Sequence, residues 1–318
     1  MLITGSTGFL GSSLMRAFAG RYDVEALMGC DARKPELAGV GAYTELDVRD
    51  ENACQRVLQR FRPTHVLHAA AVTAGVSDAE MHAVNATGTS NMVQAAMQVG
   101  SVQRILLLSS SGVYGSAQLP QSCDEEYPLD LSSSYAASKR EAEQCLLQAE
   151  ARSGITMVVA RVGPCYGPQE RVSAFRPQQS LIGCLLTLLR SGEVARVHGE
   201  SCSRDWMHVD DLSVAIKGLL TSLGLQHRMY NVSSGVAVEA RDVLDAFRGV
   251  GLRVQQTESP EQANIILKAA HGRKAMVIER LCSDTGFTPS VGIREGIERL
   301  LRETGSQPVV QACHAEAN

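Results

Sequence analysis

The sequence predicts an α/β protein built on a doubly wound parallel sheet, with a smaller second lobe towards the C-terminus. Two observations predict this class. Short apolar runs alternate with amphipathic segments over about the first 160 residues, and a glycine-rich turn joins the first run to the first amphipathic segment. Near-continuous apolar runs are typical of strands buried on both faces of a sheet. With 318 residues, 44% of them hydrophobic, the chain can bury one large core or two interlocked ones.

The apolar runs predict strands at Met1–Thr4, Val24–Met28, Ala42–Leu46, His65–His68, Arg104–Leu108 and Thr156–Ala160. The segments between them predict helices at Gly8–Ala19, Glu51–Phe61, Asp78–Gln98 and Tyr135–Arg152. Further along, the pattern predicts helices at Leu181–Leu189, Asp210–Leu220 and Ile293–Arg302, and a late strand at Met229–Val232. We expect residues 1–162, joined by 205–235, to form the sheet domain. Residues 163–204 and 236–304 would form the second, substrate-binding lobe, and residues 305–318 a tail.

Charge and composition exclude several classes of partner. The 30 Lys and Arg residues are balanced by 34 Asp and Glu, so we expect neither nucleic acid nor a membrane surface to be bound. No apolar stretch approaches the roughly 18 residues of a membrane-spanning helix. The nine cysteines include no CxxC pair, which favours reduced thiols and no metal site. The first motif begins at Thr4 and leaves no room for a leader, so a cytoplasmic location is expected.

Glycines occupy the first, fourth and seventh positions of the segment GSTGFLG, between the first predicted strand and the first predicted helix. Glycine there permits a tight turn, close approach of a diphosphate and close packing of the helix on the sheet. The N-terminus of the helix also offers free N–H groups to an anion. We therefore expect a dinucleotide on this loop, although an ordinary glycine-rich turn is the alternative. The expected contacts are Gly5, Thr7, Gly8, Phe9, Leu10 and Gly11.

A carboxylate, Asp31, follows twenty residues after Gly11, at the end of the second predicted strand. A carboxylate at this point can accept hydrogen bonds from both ribose hydroxyls. It selects NAD, because a 2′-phosphate would meet a like charge, which Arg33 would offset only in part. Asp47 and Val48 follow the third strand and are candidates for binding the adenine edge. A solvated loop carboxylate is the alternative interpretation of Asp31.

Tyr135 and Lys139 lie four residues apart in a predicted helix and therefore share one face of it. A nearby ammonium favours the phenolate, so Tyr135 can act as a general acid or base closer to neutrality than a free phenol. Ser110 and Ser111 follow a strand at the carboxyl edge of the sheet, where such folds bind ligands, and a serine there can bond a substrate oxygen. A helix surface and a turn are the alternative interpretations.

In this order the motifs resemble the extended short-chain dehydrogenase/reductase family, which contains sugar-nucleotide epimerases and dehydratases. The matching segments run along most of the chain: TGSTGFLG at 4–11, HAAA at 68–71, NATGTSNMVQAA at 85–96, SSSGVYG at 109–115, YAASK at 135–139, RVGPCYGP at 161–168, RDWMHVDDL at 204–212 and YNVSSG at 230–235. The resemblance implies a Rossmann-type sheet and a bound NAD.

The resemblance also implies roles for particular residues. Ser110, Tyr135 and Lys139 would form the catalytic triad, and Lys139 would also hold the nicotinamide ribose. Ala69, Ala70 and Asn85 match positions that contact the cofactor, and Arg204 matches an arginine that binds a sugar-nucleotide phosphate. His208, in the same run, is interpreted as a core histidine. Pairing of the helices at 78–98 and 135–152 with those of a second copy would give a homodimer, although the same apolar positions also suit a monomer's core.

Three segments depart from the family pattern. Ser111 and Gly112 stand where the related 4,6-dehydratases carry an Asp-Glu pair, which disfavours dehydration. Pro164 replaces an asparagine that bonds the diphosphate region of the substrate, which weakens the nucleotide-sugar interpretation. HGRK at 271–274 stands where many members have Arg-x-Gly-Asp, and it either binds an anion in another geometry or does not bind one.

Hydride transfer at a secondary hydroxyl of a sugar-type substrate is the predicted reaction, and epimerisation of a nucleotide sugar through a transient ketone is favoured. The alternative is a net NAD-dependent dehydrogenase or reductase of a smaller sugar, polyol or sugar acid, which would use the same residues. A non-catalytic NAD-sensing regulator is a third hypothesis, because a fold does not fix a function.

Overall fold

A parallel β-sheet with helices on both faces forms the larger part of the chain in the computed structural model of this protein. The structure describes residues 1–21, 27–32, 42–115, 122–172, 179–199, 202–268, 272–273 and 275–305. The predicted α/β class with a doubly wound parallel sheet is confirmed.

The strands, in chain order, are β1 (Leu2–Thr4), β2 (Met28–Asp31), β3 (Ala42–Glu45), β4 (His65–His68), β5 (Arg104–Ser110), β6 (Thr156–Val162), β7 (Cys165–Tyr166), β8 (Ala195–Gly199), β9 (Ser203–Arg204), β10 (Met207–His208), β11 (Met229–Val232), β12 (Val238–Glu239), β13 (Val254–Gln256) and β14 (Ile265–Leu267). The helices are α1 (Phe9–Arg21), α2 (Glu51–Phe61), α3 (Asp78–His82), α4 (Gly88–Val99), α5 (Ser134–Ser153), α6 (Leu181–Ser191), α7 (Val209–Thr221), α8 (Ala240–Gly249), α9 (Glu279–Thr285) and α10 (Ile293–Glu303). A π-helical turn, Ala83–Thr87, joins α3 to α4, and a 3-10 turn, Ser111–Tyr114, follows β5.

The main sheet has the spatial order β3-β2-β1-β4-β5-β6-β11 within the described residues, and every neighbouring pair is parallel. The strand order reverses between β1 and β4. In open α/β sheets the ligand binds outside the carboxyl ends of the strands at such a reversal. The fold therefore places the glycine loop after β1 beside the residues that follow β4.

Alternate residues of the central strands serve two separate cores. Leu106 of β5 packs on one face with residues of α1 and α7, whereas Leu107 packs on the other with residues of α2, α4 and α5. This alternation follows from the two-residue period of a strand and explains why the strand sequences are apolar throughout. A third core, which includes Trp206 and Phe247, lies among α6, α8, α10 and the small sheet β13-β8-β14.

Two elements differ from the sequence predictions. The second strand was expected at Val24–Met28 but is found at Met28–Asp31, while residues 22–26 lie outside the described part. Glycine is a poor strand former, but a larger residue at Gly29 would not fit, because a Cβ there would approach the Ser6 side chain of the glycine loop to 2.8 Å. The helix predicted at Asp78–Gln98 contains the π turn, a feature frequent at functional sites.

The apolar residues of α4 and α5 that suggested a homodimer pack in the chain's own core. Met92, Ala96, Leu146 and Ala149 are all buried against the sheet. These residues therefore give the homodimer no independent support, and dimerisation stays a prediction. Among the described helices, none is both long enough and apolar enough to cross a bilayer.

Candidate active site

The glycine loop after β1 is shaped for close backbone contact. Gly5 has a φ of +66°, which favours glycine, and a Cβ there would lie 2.6 Å from the Ala70 nitrogen. A Cβ at Gly11 would collide with the Gly5 carbonyl oxygen, so the start of α1 packs directly on the loop. The loop thus brings the N-terminus of α1 close to the backbone that follows β4. These features fit the diphosphate of a dinucleotide such as NAD.

Asp31 ends β2 as predicted, and its carboxylate oxygen Oδ2 accepts a hydrogen bond from the Thr7 N–H at 3.1 Å. This bond fixes the carboxylate at the glycine loop, where a ribose of a bound dinucleotide would lie. A fixed negative charge there opposes a 2′-phosphate. Arg33 lies outside the described residues.

Asp47 and Val48 have other partners in the structure. Hydrogen bonds from the Arg49 side chain hold the pKa of Asp47 below its ordinary value. Val48 is buried, its side chain lies against Gly88, and its carbonyl accepts a hydrogen bond from Asn91. Their contact with the adenine edge stays a prediction.

A buried chain of hydrogen bonds defines the protonation of His68 at the end of β4. The Thr89 hydroxyl donates to the Asn85 carbonyl at 2.7 Å, so it must accept from His68 Nε2, which is 3.1 Å away. His68 Nδ1 is then an acceptor for the Thr4 hydroxyl at 2.8 Å. Burial, with a smaller contribution from the charge of Lys139, lowers the pKa of His68 to about 3, so the ring is neutral.

The Thr4 oxygen in turn accepts hydrogen bonds from the N–H groups of Ala69 and Ala70, each at 3.1 Å. Those two residues are the ones that face Gly5 across the switch point. Their backbone is therefore held rigidly at the edge of the expected dinucleotide site. Their contact with the cofactor stays a prediction.

Asn85 lies in the π turn and is buried. Its Oδ1 accepts from the Val72 N–H at 2.9 Å, and its Nδ2 donates to the Val72 carbonyl and to the Ser138 hydroxyl, both at 3.0 Å. Ser138 lies on α5 between Tyr135 and Lys139. Asn85 thus links the segment after β4 to the helix that carries the expected catalytic pair. Contact of Asn85 with a cofactor stays a prediction.

Lys139 projects from α5 under the end of β5. Its side chain is only 2% exposed, and its ammonium donates to the Leu108 carbonyl at 2.6 Å. Burial lowers the pKa of Lys139 to about 8, although the negative charge of Glu143 acts in the opposite direction. An ammonium with a pKa near neutrality is well suited to adjust a neighbouring phenol.

The structure brings Ser110 and Tyr135 together around Gly112. The Ser110 hydroxyl accepts a hydrogen bond from the Gly112 N–H at 3.0 Å. A Cβ on Gly112 would lie 3.1 Å from that hydroxyl oxygen and 3.3 Å from Cε1 of the Tyr135 ring. The two side chains therefore both lie beside Gly112, at the carboxyl end of β5. Ser133 caps α5 by accepting from the Ala136 N–H, so the helix begins where Tyr135 is needed.

A buried ionic network that the sequence interpretation missed begins at Ser109, next to Ser110. The Glu143 carboxylate accepts from the Ser109 hydroxyl at 2.6 Å and from Arg161 at 2.8 and 3.0 Å. Arg161 also donates to the Tyr114 hydroxyl, which donates to Asn231 on β11. The spacing of Glu143, four residues after Lys139 on the same helix face, was the available signal.

A pocket beside the Ser110 turn contains two arginines. It is lined by Ser111, Tyr114, Cys123, Pro164, Arg204, Asp205, Arg273 and Met276. Burial lowers the pKa of Arg204, and burial followed by the charge of Arg204 lowers that of Arg273. The two guanidinium groups therefore concentrate positive charge in one recess, which suits an anion with several acceptor oxygens.

Arg273 connects this pocket to the triad. Its Nη1 donates to the Ser111 carbonyl at 3.0 Å, and its buried Nε has no hydrogen-bond partner among the described residues. A buried donor without a partner is costly unless a ligand or water completes it. The sequence left the role of HGRK open, and of that segment the structure describes Gly272 and Arg273. His208, predicted as a core histidine, is buried against Tyr166.

A doubly wound sheet, a glycine loop at its switch point and a Tyr-Lys pair beside a serine define an enzyme that uses a dinucleotide for hydride transfer. Comparison with known proteins specifies the family. Residues 1–233 match the model of the NAD dependent epimerase/dehydratase family, and the chain belongs to it. The NAD cofactor predicted from Asp31 and the glycine loop agrees with this family, as does the prediction of an enzyme.

Three relatives illustrate the similarity. The putative GDP-L-fucose synthase 2 of Oryza sativa subsp. japonica is 29% identical over 95% of this chain and 86% of its own. The dTDP-glucose 4,6-dehydratase of Streptomyces griseus is 27% identical over 93% and 91%. Among solved structures, the UDP-glucose 4-epimerase of Thermus thermophilus in complex with NAD has a TM-score of 0.77 and 26% identity, covering 95% of this chain and 97% of that one.

Proposed function

We propose that this protein is an NAD-dependent epimerase of a nucleoside diphosphate sugar. The observation that carries the proposal is the adjacency of two sites. Ser110 and Tyr135 flank Gly112 at the end of β5, and the two-arginine pocket begins at Ser111, between Ser110 and Gly112. Such an arrangement can bind a diphosphate in the pocket while a sugar hydroxyl reaches the triad. The relatives named for GDP-, dTDP- and UDP-sugars support this substrate class.

Each group at the cofactor site has one role in the proposed reaction. NAD, when bound, supplies the acceptor and donor of hydride. Gly5, Gly8 and the N-terminus of α1 would hold its diphosphate, and Asp31 would accept from the adenosine ribose hydroxyls. Lys139 would bond the nicotinamide ribose with the N–H groups that it does not use on Leu108.

Proton transfer falls to Tyr135. Its phenolate would take the proton of a sugar hydroxyl as the carbon is oxidised to a ketone, and return it after the ketone has turned its other face. The Ser110 hydroxyl accepts from the Gly112 N–H and would donate its own hydrogen to the same sugar oxygen. The Lys139 ammonium would favour the phenolate by its charge.

Epimerisation is favoured over 4,6-dehydration by the 3-10 turn after β5. Ser111 is buried, its carbonyl is bonded by Arg273, and Gly112 has no side chain. Removal of water requires an acid and a base near the sugar carbon that loses it. Neither of these two positions offers one.

A net dehydrogenase is the second candidate, and Pro164 favours it. Proline has no side-chain donor, and Pro164 lines the pocket where an asparagine would bond the diphosphate region. A smaller substrate without a diphosphate, such as a sugar, polyol or sugar acid, would suit that wall better.

Incubation of the enzyme with UDP-, dTDP- and GDP-hexoses, without added NAD, distinguishes the two candidates. An epimerase converts one of them into a mixture of stereoisomers, detected by NMR, without accumulation of NADH. Turnover that requires added NAD and yields NADH in proportion to product would replace the epimerase proposal by the dehydrogenase.

A cytoplasmic homodimer is part of the proposal, and light scattering that showed only a 34.1 kDa species would contradict its dimeric part.

A further inference from the structure

Asp205, the residue directly after Arg204, is 2% exposed and accepts four hydrogen bonds. Its Oδ1 accepts from the N–H and hydroxyl groups of Ser234, at 2.9 and 2.6 Å. Its Oδ2 accepts from the N–H groups of Gly235 at 3.1 Å and Met276 at 2.9 Å. All four donors are neutral. The carboxylate therefore joins three separate segments of the chain at the pocket wall.

One of these segments carries the second arginine. Met276 lies three residues after Arg273, and the Arg273 N–H donates to the Ser203 carbonyl at 2.8 Å. The Ser203 hydroxyl also donates to the Arg273 carbonyl at 3.1 Å. Arg204 thus lies between two residues, Ser203 and Asp205, that are both bonded to the segment of Arg273. This clamp sets the spacing of the two arginines.

The clamp is needed because the two positively charged guanidinium groups repel each other. Each is partly desolvated, and the charge of Arg204 disfavours the charged form of Arg273. Like charges favour separation of the two side chains. The hydrogen bonds accepted by the Asp205 carboxylate and those between Ser203 and Arg273 hold the two backbone segments together against that repulsion.

We propose that Asp205 is a positioning residue for the anion pocket, which holds Arg204 and Arg273 side by side for the diphosphate of the substrate. The inference rests on the proposed function for the identity of the anion. Asp205 acts through the two arginines, so its loss weakens diphosphate binding more than it changes catalysis by Tyr135 or binding of NAD.

Asp211 offers a matched control from the same sequence run. It too is 2% exposed, and it accepts from the N–H and hydroxyl groups of Ser290, at 3.0 and 2.7 Å, and from the Val291 N–H at 2.9 Å. It therefore closes a similar clamp, but it does not line the pocket. Asp211→Asn should lower thermal stability much as Asp205→Asn does, without affecting the arginines.

The test is calorimetric titration of UDP, a diphosphate without the sugar, into wild type, Asp205→Asn and Asp211→Asn, together with NAD titration and steady-state kinetics. We expect Asp205→Asn to weaken UDP binding about tenfold or more and to raise KM similarly, with kcat and NAD affinity within about threefold of wild type. Asp211→Asn should leave UDP affinity within about threefold of wild type. Equal UDP affinity in both variants would overturn the inference.

A second pair of variants covers the case in which Asp205→Asn does not fold. Ser234→Ala removes one donor to Asp205, and Ser290→Ala removes the corresponding donor to Asp211. UDP binding should weaken about threefold in the first and stay unchanged in the second. The same affinity in both would count against Asp205. If wild type binds none of UDP, dTDP and GDP, the proposed function fails as well, so the two failures are distinguishable.

Discussion

The cofactor side and the substrate side of this site are built in different ways. The cofactor side uses contiguous motifs at the ends of parallel strands: the loop after β1, Asp31 at the end of β2, and Tyr135 and Lys139 on one helix. The pocket instead takes Arg204 and Arg273 from segments almost 70 residues apart, and joins them through Ser203 and Asp205. Local spacing reveals the first kind of site. Only the fold reveals the second.

The largest expected effect lies on the cofactor side. Tyr135→Phe removes the proton acceptor while leaving the ring against Gly112, so kcat should fall by about a hundredfold or more. NAD affinity should remain within about threefold of wild type. Tyr230→Phe is the control, since that hydroxyl bonds Asp284 away from the pocket residues. Steady-state turnover of the two variants decides the matter, and wild-type kcat in Tyr135→Phe would remove the assigned role.

The pocket side is tested by Arg273→Met. This change removes a charged donor to the substrate and also the hydrogen bond to the Ser111 carbonyl, so substrate binding and turnover should both change. We expect KM for the nucleotide sugar to rise by about tenfold to a hundredfold, together with a several-fold loss of kcat. Arg196→Met, whose guanidinium bonds the Gln262 carbonyl, is the control. Unchanged kinetics in Arg273→Met would show that the diphosphate does not bind in this pocket.

Asp31→Asn tests the contact of the cofactor ribose with the carboxylate. It keeps the acceptor for the Thr7 N–H but removes the charge that faces a ribose. We expect NAD to bind roughly tenfold more weakly and the discrimination against NADP to narrow. Titration of both dinucleotides measures this, with Asp245→Asn, a surface ion-pair residue, as the comparison. Equal NAD affinity in Asp31→Asn and wild type would exclude the ribose contact.

The smallest effect is a pH dependence. Burial lowers the pKa of Lys139 to about 8, so its ammonium is present below that pH and is lost as the pH rises through it. Because the charge favours the phenolate of Tyr135, kcat should decline on the alkaline side of about pH 8, while KM changes little. A pH profile of kcat measures this. A constant kcat through that range would mean that the charge of Lys139 does not contribute to the rate.

The sheet and its cofactor motifs could be predicted from the sequence because they follow from local patterns of residues. Strand β4 begins and ends at the predicted residues. Asp31 ends the second strand, although that strand is found at Met28–Asp31 and not at the predicted Val24–Met28. Apolar period and glycine spacing contain this information.

The remaining features depend on contacts distant in sequence. Residues from different elements form the Glu143–Arg161 pair, the hydrogen bonds of the neutral His68 and the bond from Arg273 to Ser111. No local sequence pattern indicates that these residues are close in space. Asn85 shows the limit most clearly. The motif marks it as functional, whereas the fold engages its side-chain amide with Val72 and Ser138.

The most direct test of the account follows a single hydrogen atom. The enzyme is incubated with the nucleoside diphosphate hexose that it converts, deuterated at the carbon whose configuration is inverted, and the products are examined by NMR and mass spectrometry. Epimerisation should give two stereoisomers that both retain the deuterium at that carbon, because the hydride that leaves the carbon returns to it. Deuterium in released NADH, or at another sugar carbon with loss of water, would contradict it.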